Sequence, residues 1–328
     1  MQGFQGVAVA ICAAVAVATA AAAAAAPSPY RAPRNALGQP DLEGVWSNAT
    51  YTRLERPLYA PRVVLTPQEA AKAAARFVAG PPAAAGDVGQ TESEGATNDF
   101  GAGYARVRGE IRSGMIVDPA DGRLPFRADA LKRLELEGPP DPSAHRDNPE
   151  ERTNTERCLS GEDASPPALP SPDSNFIQIV QTRDAVAIHS EKYHDVRIVR
   201  LGDRTHAPAN VRTWNGDEIG HWEGDTLVVE TTNFTPAALL RYGRLRISGG
   251  ATVVERFTRT SAQELLYQVA VTDPDLYTQT WRAELPFQAS KARILEDACH
   301  EGNYSLAGIL AGARAEERRA AQAAAGSN

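Results

Sequence analysis

Short runs of alternating apolar and polar residues fill the second half of the chain. From Phe176 onward, β-prone runs recur about every ten residues with turn residues between them, the spacing of an antiparallel sandwich or barrel. The run from Trp281 to Phe287 has apolar side chains at every second position, so these share one strand face. The runs are FIQIVQT, AVAIHSEKY, VRIVRL, IGHWE, DTLVVETTNF, ATVVERFTRT, ELLYQVAVT and TQTWRAELPF. The pattern predicts a mainly β protein with an antiparallel barrel or sandwich over residues 176–304.

The first half of the chain shows little periodicity. Residues 27–45 are rich in proline, and residues 80–100 have the composition of a mobile loop. Thr66, Pro67 and Glu69 form a capping box that predicts a helix ending before Gly80. A second short helix is expected from Ala128 to Leu136. We expect residues 27–175 to be a long irregular and helical segment that wraps the β domain.

The two ends of the chain have their own signatures. Val7–Ala26 is an uninterrupted apolar run that breaks at Pro27, which predicts a signal peptide over residues 1–26 and a periplasmic or secreted protein. The leader has no Lys or Arg, and a retained membrane anchor is the alternative. Once the leader is removed, no stable membrane insertion is expected. Residues 305–328 predict a C-terminal helix with a narrow apolar stripe and a polar tail.

Charge and cysteine content narrow the choice of partners and compartment. The chain has 34 Lys and Arg against 41 Asp and Glu, a net charge of −7, with no basic block, so nucleic acid is not expected as a partner. Removal of the leader also removes Cys12 and leaves Cys158 and Cys299. In an oxidising compartment these two most simply form one disulfide, although two separate buried thiols remain the alternative.

The densest group of ionisable side chains lies between His189 and Arg197. If this stretch is extended, His189, Glu191, Tyr193 and Asp195 share one face, and His194 lies on the other. Imidazole beside carboxylates is suited to general acid–base work, whereas the alternative is an ordinary solvated strand face.

The imidazoles and carboxylates of this region are chemically suited to bind a metal ion. The candidate ligands are Glu191, His194, His206 and His221. Their spacings fit no ligand signature, so we expect neither a metal nor another cofactor.

Two further strings could contribute to a site. In the string that begins at Gly220, His221 and Trp222 could line an apolar cavity, or Trp222 could simply plug one end of the barrel. After Cys299, a disulfide would hold His300 and Glu301 rigidly, whereas the alternative is a strand end followed by a helix cap.

Several long strings resemble a family of exported hypothetical proteins of proteobacteria and acidobacteria. The strings are PDLEGVWSNATYTRLERP, MIVDPADGRLP, ERCL, HDVRIVRLGDRTH, GHWEGDTLVVETTNF, VVERFTRT and ACHEGNY. They cover nearly all of the chain after the leader, and the family has no settled biochemical role. The segment WEGDTLVVETTNF with VVERFTRT and LLYQVAVTD is also similar to small lipocalin-like barrel proteins, which implies a lipocalin-like form of the β domain.

Three hypotheses about function follow. The first is a small-molecule-binding β barrel for an apolar or aromatic ligand, lined by Tyr267, Val269, Trp281, Phe287 and Trp222, with Glu191, His221 and Tyr304 as further ligand contacts. The second is a periplasmic lyase, isomerase or hydrolase that uses His194, Asp195, His300 and Glu301 as acid–base groups. The third is a structural or interaction protein of the cell envelope.

Overall fold

A computed structural model describes residues 30–79, 103–137, 147–152, 154, 156–159, 165–170, 175–236 and 245–326. The predicted signal peptide over 1–26 and the predicted mobile loop over 80–100 lie outside these residues. From Arg31 onward, the described residues belong to one compact unit.

The strands and helices are numbered in chain order. The strands are β1 (Gly44–Ser47), β2 (Val64–Leu65), β3 (Arg106–Val107), β4 (Glu110–Arg112), β5 (Ile116–Asp118), β6 (Phe176–Gln181), β7 (Ala185–Ser190), β8 (Val196–Arg200), β9 (Asp217–Glu223), β10 (Thr226–Thr232), β11 (Thr252–Arg259), β12 (Glu264–Thr272) and β13 (Trp281–Ser290). The helices are α1 (Pro67–Ala79), α2 (Ala128–Glu137), α3 (Cys299–Gly302) and α4 (Tyr304–Gly326), with 3₁₀ turns at Pro149–Glu151 and Lys192–His194.

Strands β6 to β13 follow one another around a closed barrel. Each strand pairs with the next one in the chain, and β1 pairs with both β6 and β13 to complete a ring of nine strands. Every run predicted as a strand from Phe176 onward overlaps one of these strands, so the prediction of a mainly β fold with a barrel is confirmed. Alternate residues face inward because successive side chains of a strand point to opposite faces.

One joint of the barrel differs from the others. Strands β8 and β9 run parallel and meet at a single register pair, Arg200 opposite Ile219, whereas the other neighbours in the ring are antiparallel. A lipocalin barrel has eight strands. The nine strands and the parallel joint therefore do not show the lipocalin-like form that the resemblance implied.

Strand β1 was not expected from the sequence pattern. Its four residues lie in the proline-rich first half of the chain, and Trp46 points inward with only 1% of its surface exposed. The indole nitrogen of Trp46 donates to the Leu42 carbonyl at 2.9 Å, and the Arg259 guanidinium lies 5.5 Å from its ring centroid. This strand fills the gap between the first and last strands of the meander.

Some of the described residues of the first half pack against the outside of β13. Strand β5 pairs with β13 beside the ring, and β2, β4 and β3 form a separate small sheet. Arg108, which follows β3, donates to both carboxylate oxygens of Glu284 on β13 at 3.0 Å. An ion pair and a strand pairing therefore attach this segment to the barrel wall.

The three helices predicted from capping and periodicity are all present. Helix α1 begins at Pro67, with Glu69 accepting from the Thr66 backbone at 2.7 Å and Thr66 Oγ1 accepting from the Glu69 backbone at 3.2 Å. These reciprocal bonds are the capping box read from the sequence. Helix α2 starts at Ala128 as predicted, and α4 covers the predicted C-terminal helix.

A buried segment, 165–170, approaches the inside of the barrel. All of its residues are buried. The Ala168 backbone nitrogen donates to the hydroxyl of Tyr267 on β12 at 2.9 Å, and Ser165 Oγ donates to Asn215 at 2.5 Å. The segment thus meets inward-facing side chains of the barrel directly.

Candidate functional site

The disulfide predicted from the cysteine count is present. Cys158 and Cys299 are bonded, with Cα atoms 5.8 Å apart, and the bond fixes segment 156–159 to helix α3. His300 and Glu301 are carried on α3, and both side chains are exposed. The structure therefore places these two candidate catalytic residues beside the disulfide but in contact with solvent.

A groove of about 270 Å³ lies against the disulfide. Asn303 forms part of its wall, with its side-chain nitrogen donating to the Glu156 carbonyl at 2.7 Å and its side-chain oxygen accepting from the Leu306 backbone at 3.2 Å. The polar wall of the groove is thus already engaged with the protein. The lining residues are Glu156, Cys158, Cys299, Gly302, Asn303, Ser305, Leu306 and Ile309. Tyr304, a predicted ligand contact, is 82% exposed and does not belong to this lining.

The stretch after His189 is a turn and not an extended strand. Strand β7 ends at Ser190, and a 3₁₀ turn follows over Lys192–His194, with Tyr193 at a φ of 57°. The shared face expected for His189, Glu191, Tyr193 and Asp195 therefore does not form, because that face required continuous extended backbone.

The turn is instead tied to the segment that leads into the disulfide. Glu191 Oε1 accepts from the Leu295 backbone at 2.9 Å, and the Tyr193 backbone donates to Asp297 Oδ2 at 2.8 Å. The turn after β7 therefore contacts the segment that precedes Cys299. The side chain of His194 lies outside the described residues, and Asp195 follows it at the end of the turn.

His221 and Trp222 point to opposite faces of β9. His221 is on the outside, with its ring nitrogens 3.1 Å from Glu223 Oε1 and 3.3 Å from the Arg204 guanidinium. Trp222 faces inward and packs against the barrel core. The structure does not bring these two neighbours into one cavity.

The remaining predicted lining residues lie in the barrel core. Tyr267, Val269, Trp281 and Phe287 all point inward and are buried. The ring of Tyr267 stacks on that of Phe287 at 5.1 Å between centroids, and it lies 5.1 Å from that of Phe257. One part of the interior is therefore filled by packed aromatic rings.

A charged cluster that was not predicted from the sequence lies inside the barrel. Arg197 on β8 donates from Nε to Glu218 on β9 at 2.6 Å, and its two terminal nitrogens donate to the two carboxylate oxygens of Glu255 on β11. The Tyr267 hydroxyl donates to Glu255 at 2.7 Å. All four side chains are almost fully buried. We call these residues the interior cluster.

The two carboxylates of the interior cluster are not equally satisfied. Both oxygens of Glu255 accept from Arg197, and one also accepts from Tyr267. Glu218 uses only Oε1, while its buried Oε2 has no hydrogen-bond partner in the described part of the chain. The hydroxyl of Thr231, the register partner of Glu218 on β10, is also buried without a partner there.

Two inward-facing indole nitrogens also lack a hydrogen-bond partner in the described part of the chain. Nε1 of Trp222 and Nε1 of Trp281 are buried, and neither donates to any described residue. Nearly all buried polar groups of folded proteins are hydrogen-bonded, so each exception needs an explanation, such as an ordered water or a ligand. The barrel interior therefore presents two unused indole donors, one unused carboxylate acceptor and one unused hydroxyl that can donate or accept.

Burial and charge set the protonation of the interior cluster. Burial raises the pKa of Glu218 above its ordinary value despite the opposing effect of Arg197. Burial alone would lower the pKa of Arg197, but the carboxylates of Glu218 and Glu255 outweigh it and raise that pKa. Burial also raises the pKa of Tyr267, which stays a neutral hydrogen-bond donor.

A signal for the interior cluster is present in the sequence. In the run VVERF, Glu255 occupies the inward position between Val253 and Phe257 of the alternating pattern. Arg197 holds the equivalent position beside Val199. A charged residue on the apolar face of an alternating run predicts a buried ionic contact, because burial without a partner is strongly unfavourable.

Metal binding receives no support from the described residues. They contain no group of three His, Cys, Asp or Glu side chains placed to hold a metal ion. His206, one of the residues weighed as a ligand, is bonded to Asp217 at 2.8 Å and Glu230 at 3.1 Å on the outside of the barrel. Glu191 and His221 bind the separate partners described above.

Comparison with known proteins leaves the family resemblance untested. None of the described helices is long and apolar enough to cross a membrane. No model of a known protein family matches the chain, and a search of curated proteins finds no significant similarity. Membership of the exported family therefore stays a prediction, and the case for function depends on the barrel interior.

Proposed function

We propose that this protein binds a small, mainly apolar molecule inside its β barrel. The observation that carries the proposal is the set of buried, unpartnered polar atoms on the inward faces of β9, β10 and β13. Ligand sites in proteins are mostly apolar and contain a few polar groups that orient the ligand. The barrel interior has this composition.

The proposed ligand contacts combine the sequence prediction with the interior cluster. Trp222 and Trp281 supply indole N–H donors, and Glu218 and Thr231 supply acceptors. The aromatic rings of Phe257, Tyr267 and Phe287 close the space on one side. They also make the interior suited to an apolar or aromatic body.

We further propose that binding takes place in the periplasm or outside the cell. The Cys158–Cys299 disulfide supports this compartment because such bonds persist under oxidising conditions. Cell fractionation of the native organism tests it. The protein should be found in the periplasmic or extracellular fraction, and recovery from the cytoplasm alone would contradict the proposed location.

Native mass spectrometry of the full chain purified from its own cells tests the binding function. We expect a mass that exceeds the polypeptide by that of a small molecule, which denaturation releases. In a second measurement the emptied protein is titrated with N-phenyl-1-naphthylamine, an apolar fluorophore. Saturable quenching of tryptophan emission at one probe per chain is expected.

Single tryptophan variants locate the bound probe. Trp222→Phe and Trp281→Phe should each remove part of the quenching, because these indoles face the interior. Trp214→Phe is the matched control, since Trp214 lies in the loop before β9. The proposal fails if no small molecule co-purifies and the probe does not bind saturably.

A further inference from the structure

We infer that the Glu218 end of the barrel interior binds the ammonium group of an organic amine. This inference rests on the proposed function and names the polar group of its ligand. The unpartnered Glu218 Oε2 and Thr231 Oγ1 are the atoms that would accept its N–H donors.

The two carboxylates of the interior cluster differ in the number of hydrogen bonds that they accept. Glu255 is saturated by Arg197 and Tyr267, as a purely structural buried carboxylate should be. Glu218 accepts a single bond from Arg197 and keeps its second oxygen unused, although its side chain is only 3% exposed. An unsatisfied buried acceptor is unfavourable, so this oxygen calls for a donor, which a ligand or an ordered water could supply.

Thr231, opposite Glu218 in the sheet, also has an unpartnered polar atom. Thr231 lies directly opposite Glu218 in the β9–β10 register, and it is completely buried. Its hydroxyl has no partner among the described residues. Opposite residues of an antiparallel pair have Cβ atoms about 5 Å apart, so one small group can contact both oxygens.

The interior cluster has more acidic than basic groups. It contains one guanidinium and two carboxylates, so with both carboxylates ionised it has one uncompensated negative charge. A net charge in a low-dielectric interior requires a counter-charge or a bound proton. An ammonium group supplies both a positive charge and N–H donors, whereas without a ligand the raised pKa of Glu218 favours a bound proton that balances the charge.

Most inward side chains in the row next to the Glu218–Thr231 pair are small. The register row next to the Glu218–Thr231 pair runs across β9 to β13 through Gly220, Val229, Glu255, Val269 and Ala283. Apart from Glu255, none of these is larger than valine. The bulky rings of Phe257 and Tyr267 belong to the following row. Small side chains therefore adjoin the open acceptors on β10, β12 and β13, whereas the space over Gly220 on β9 is already occupied by Val199, whose Cγ1 would lie 2.5 Å from an added Cβ.

Matched pairs of amines and alcohols test the inference on the full chain. The probes are benzylamine with benzyl alcohol and hexylamine with hexanol, titrated calorimetrically at pH 7. Each amine should bind at least about tenfold more tightly than its alcohol, because hydrogen bonds between charged groups are roughly twice as strong as neutral ones. If alcohols bind as tightly as amines, the inference fails while the proposed function stands. If neither class binds, the inference fails, and the proposed function is decided by co-purification and by titration with N-phenyl-1-naphthylamine.

Substitutions then assign the preference to the site. Glu218→Gln keeps the shape and an acceptor for Arg197 Nε but removes the negative charge, so it should abolish the amine preference and change alcohol binding by less than about threefold. Thr231→Val should weaken binding of amines and alcohols alike. A preference for amines that persists in Glu218→Gln overturns the inference.

A structural measurement covers the case in which Glu218→Gln does not fold. A crystal structure of the unmodified protein with benzylamine should place the amine nitrogen within hydrogen-bonding distance of Glu218 Oε2. Benzylamine bound elsewhere, or a water bridging Glu218 and Thr231 with benzylamine present, overturns the inference.

Discussion

Arg197 and Glu255 form a bidentate ion pair inside the barrel, in which the two terminal guanidinium nitrogens donate to the two carboxylate oxygens. They come from β8 and β11, which are not neighbours in the sheet, so the pair spans the interior. Glu218 on β9 and Tyr267 on β12 extend the same network. Four strands of the ring are thus connected through a single guanidinium and its partners.

Arg197→Met should destabilise the protein by about 3–5 kcal/mol at pH 7, because it leaves two buried carboxylates without their counter-charge. The loss of unfolding free energy relative to the unmodified protein should become smaller as the pH falls, since protonation removes the buried negative charge. Urea denaturation followed by far-UV circular dichroism at pH 7 and pH 5 measures both effects.

Arg282→Met is the matched control for that substitution. Arg282 pairs with Asp118 at 2.6 Å, but the two side chains are 56% and 48% exposed. An exposed pair of this kind contributes about 0–1 kcal/mol. Equal losses in the two variants would show that the buried network has no special role in stability.

Loss of the disulfide should destabilise the native state by about 4–5 kcal/mol in the chain-entropy account, because Cys158 and Cys299 are 141 residues apart. The double variant Cys158→Ser with Cys299→Ser should lower the urea midpoint without changing the circular dichroism spectrum of the folded barrel. Unmodified protein with the bond chemically reduced is the comparison and should unfold at the same urea midpoint as the double variant. Reaction of Cys158 or Cys299 with a thiol reagent in denatured, unreduced protein would contradict the bond.

Gly220→Ala should destabilise the barrel by about 1–3 kcal/mol through overpacking. A Cβ at this position would lie 2.5 Å from Val199 Cγ1 and 3.1 Å from the Val228 carbonyl oxygen. Adding Val199→Ala should recover part of the loss, and a double-mutant cycle measures how much. Gly202→Ala is the control, because a Cβ there meets no atom within 4 Å.

Asp217 should contribute to resistance against acid. Its hydrogen bond with the Arg200 guanidinium holds the pKa of its carboxyl well below the ordinary value. Below about pH 3.9 the unfolded chain takes up a proton at this residue while the folded protein does not. The stabilising contribution is therefore complete above that pH and declines as the pH falls toward the folded pKa.

Acid unfolding of Asp217→Asn measures this contribution. The variant should be less stable than the unmodified protein at pH 7, and the difference should narrow below about pH 4. Exposed Asp203, whose pKa is lowered by a backbone hydrogen bond from Thr205, provides Asp203→Asn as a comparison with a smaller effect. A difference that stays constant from pH 7 to pH 2 would contradict the assignment.

The barrel and the disulfide could be predicted because each leaves a strong signal in the sequence. Strands β6 to β13 contain six to ten residues with the exception of five-residue β8, long enough for a two-residue period to be visible. Strand β1 has only four residues, and nothing in them separates a strand from the proline-rich segment before it. Its pairing is decided by the open edges of β6 and β13, which are distant in the chain.

The candidate site was harder to predict than the fold. An alternating pattern shows which positions face inward, but it does not show that Arg197, Glu218 and Glu255 meet, since that depends on register across four strands. The sequence permits an extended stretch from Glu191 to Asp195, but β7 ends at Ser190 and the Tyr193 backbone has a positive φ. The contact of that turn with Asp297 is tertiary and has no local signal.

Closure by β1 has a consequence for how the chain folds during synthesis. A ribosome makes this strand before any other strand of the ring, yet its two neighbours are the first and the last of the later meander. Until β13 has been made, the growing sheet keeps two unpaired edges, which are the places where sheets join to other chains. The earliest strand of the ring in chain order is therefore the last to be paired on both sides, because the ring closes only once β13 is available.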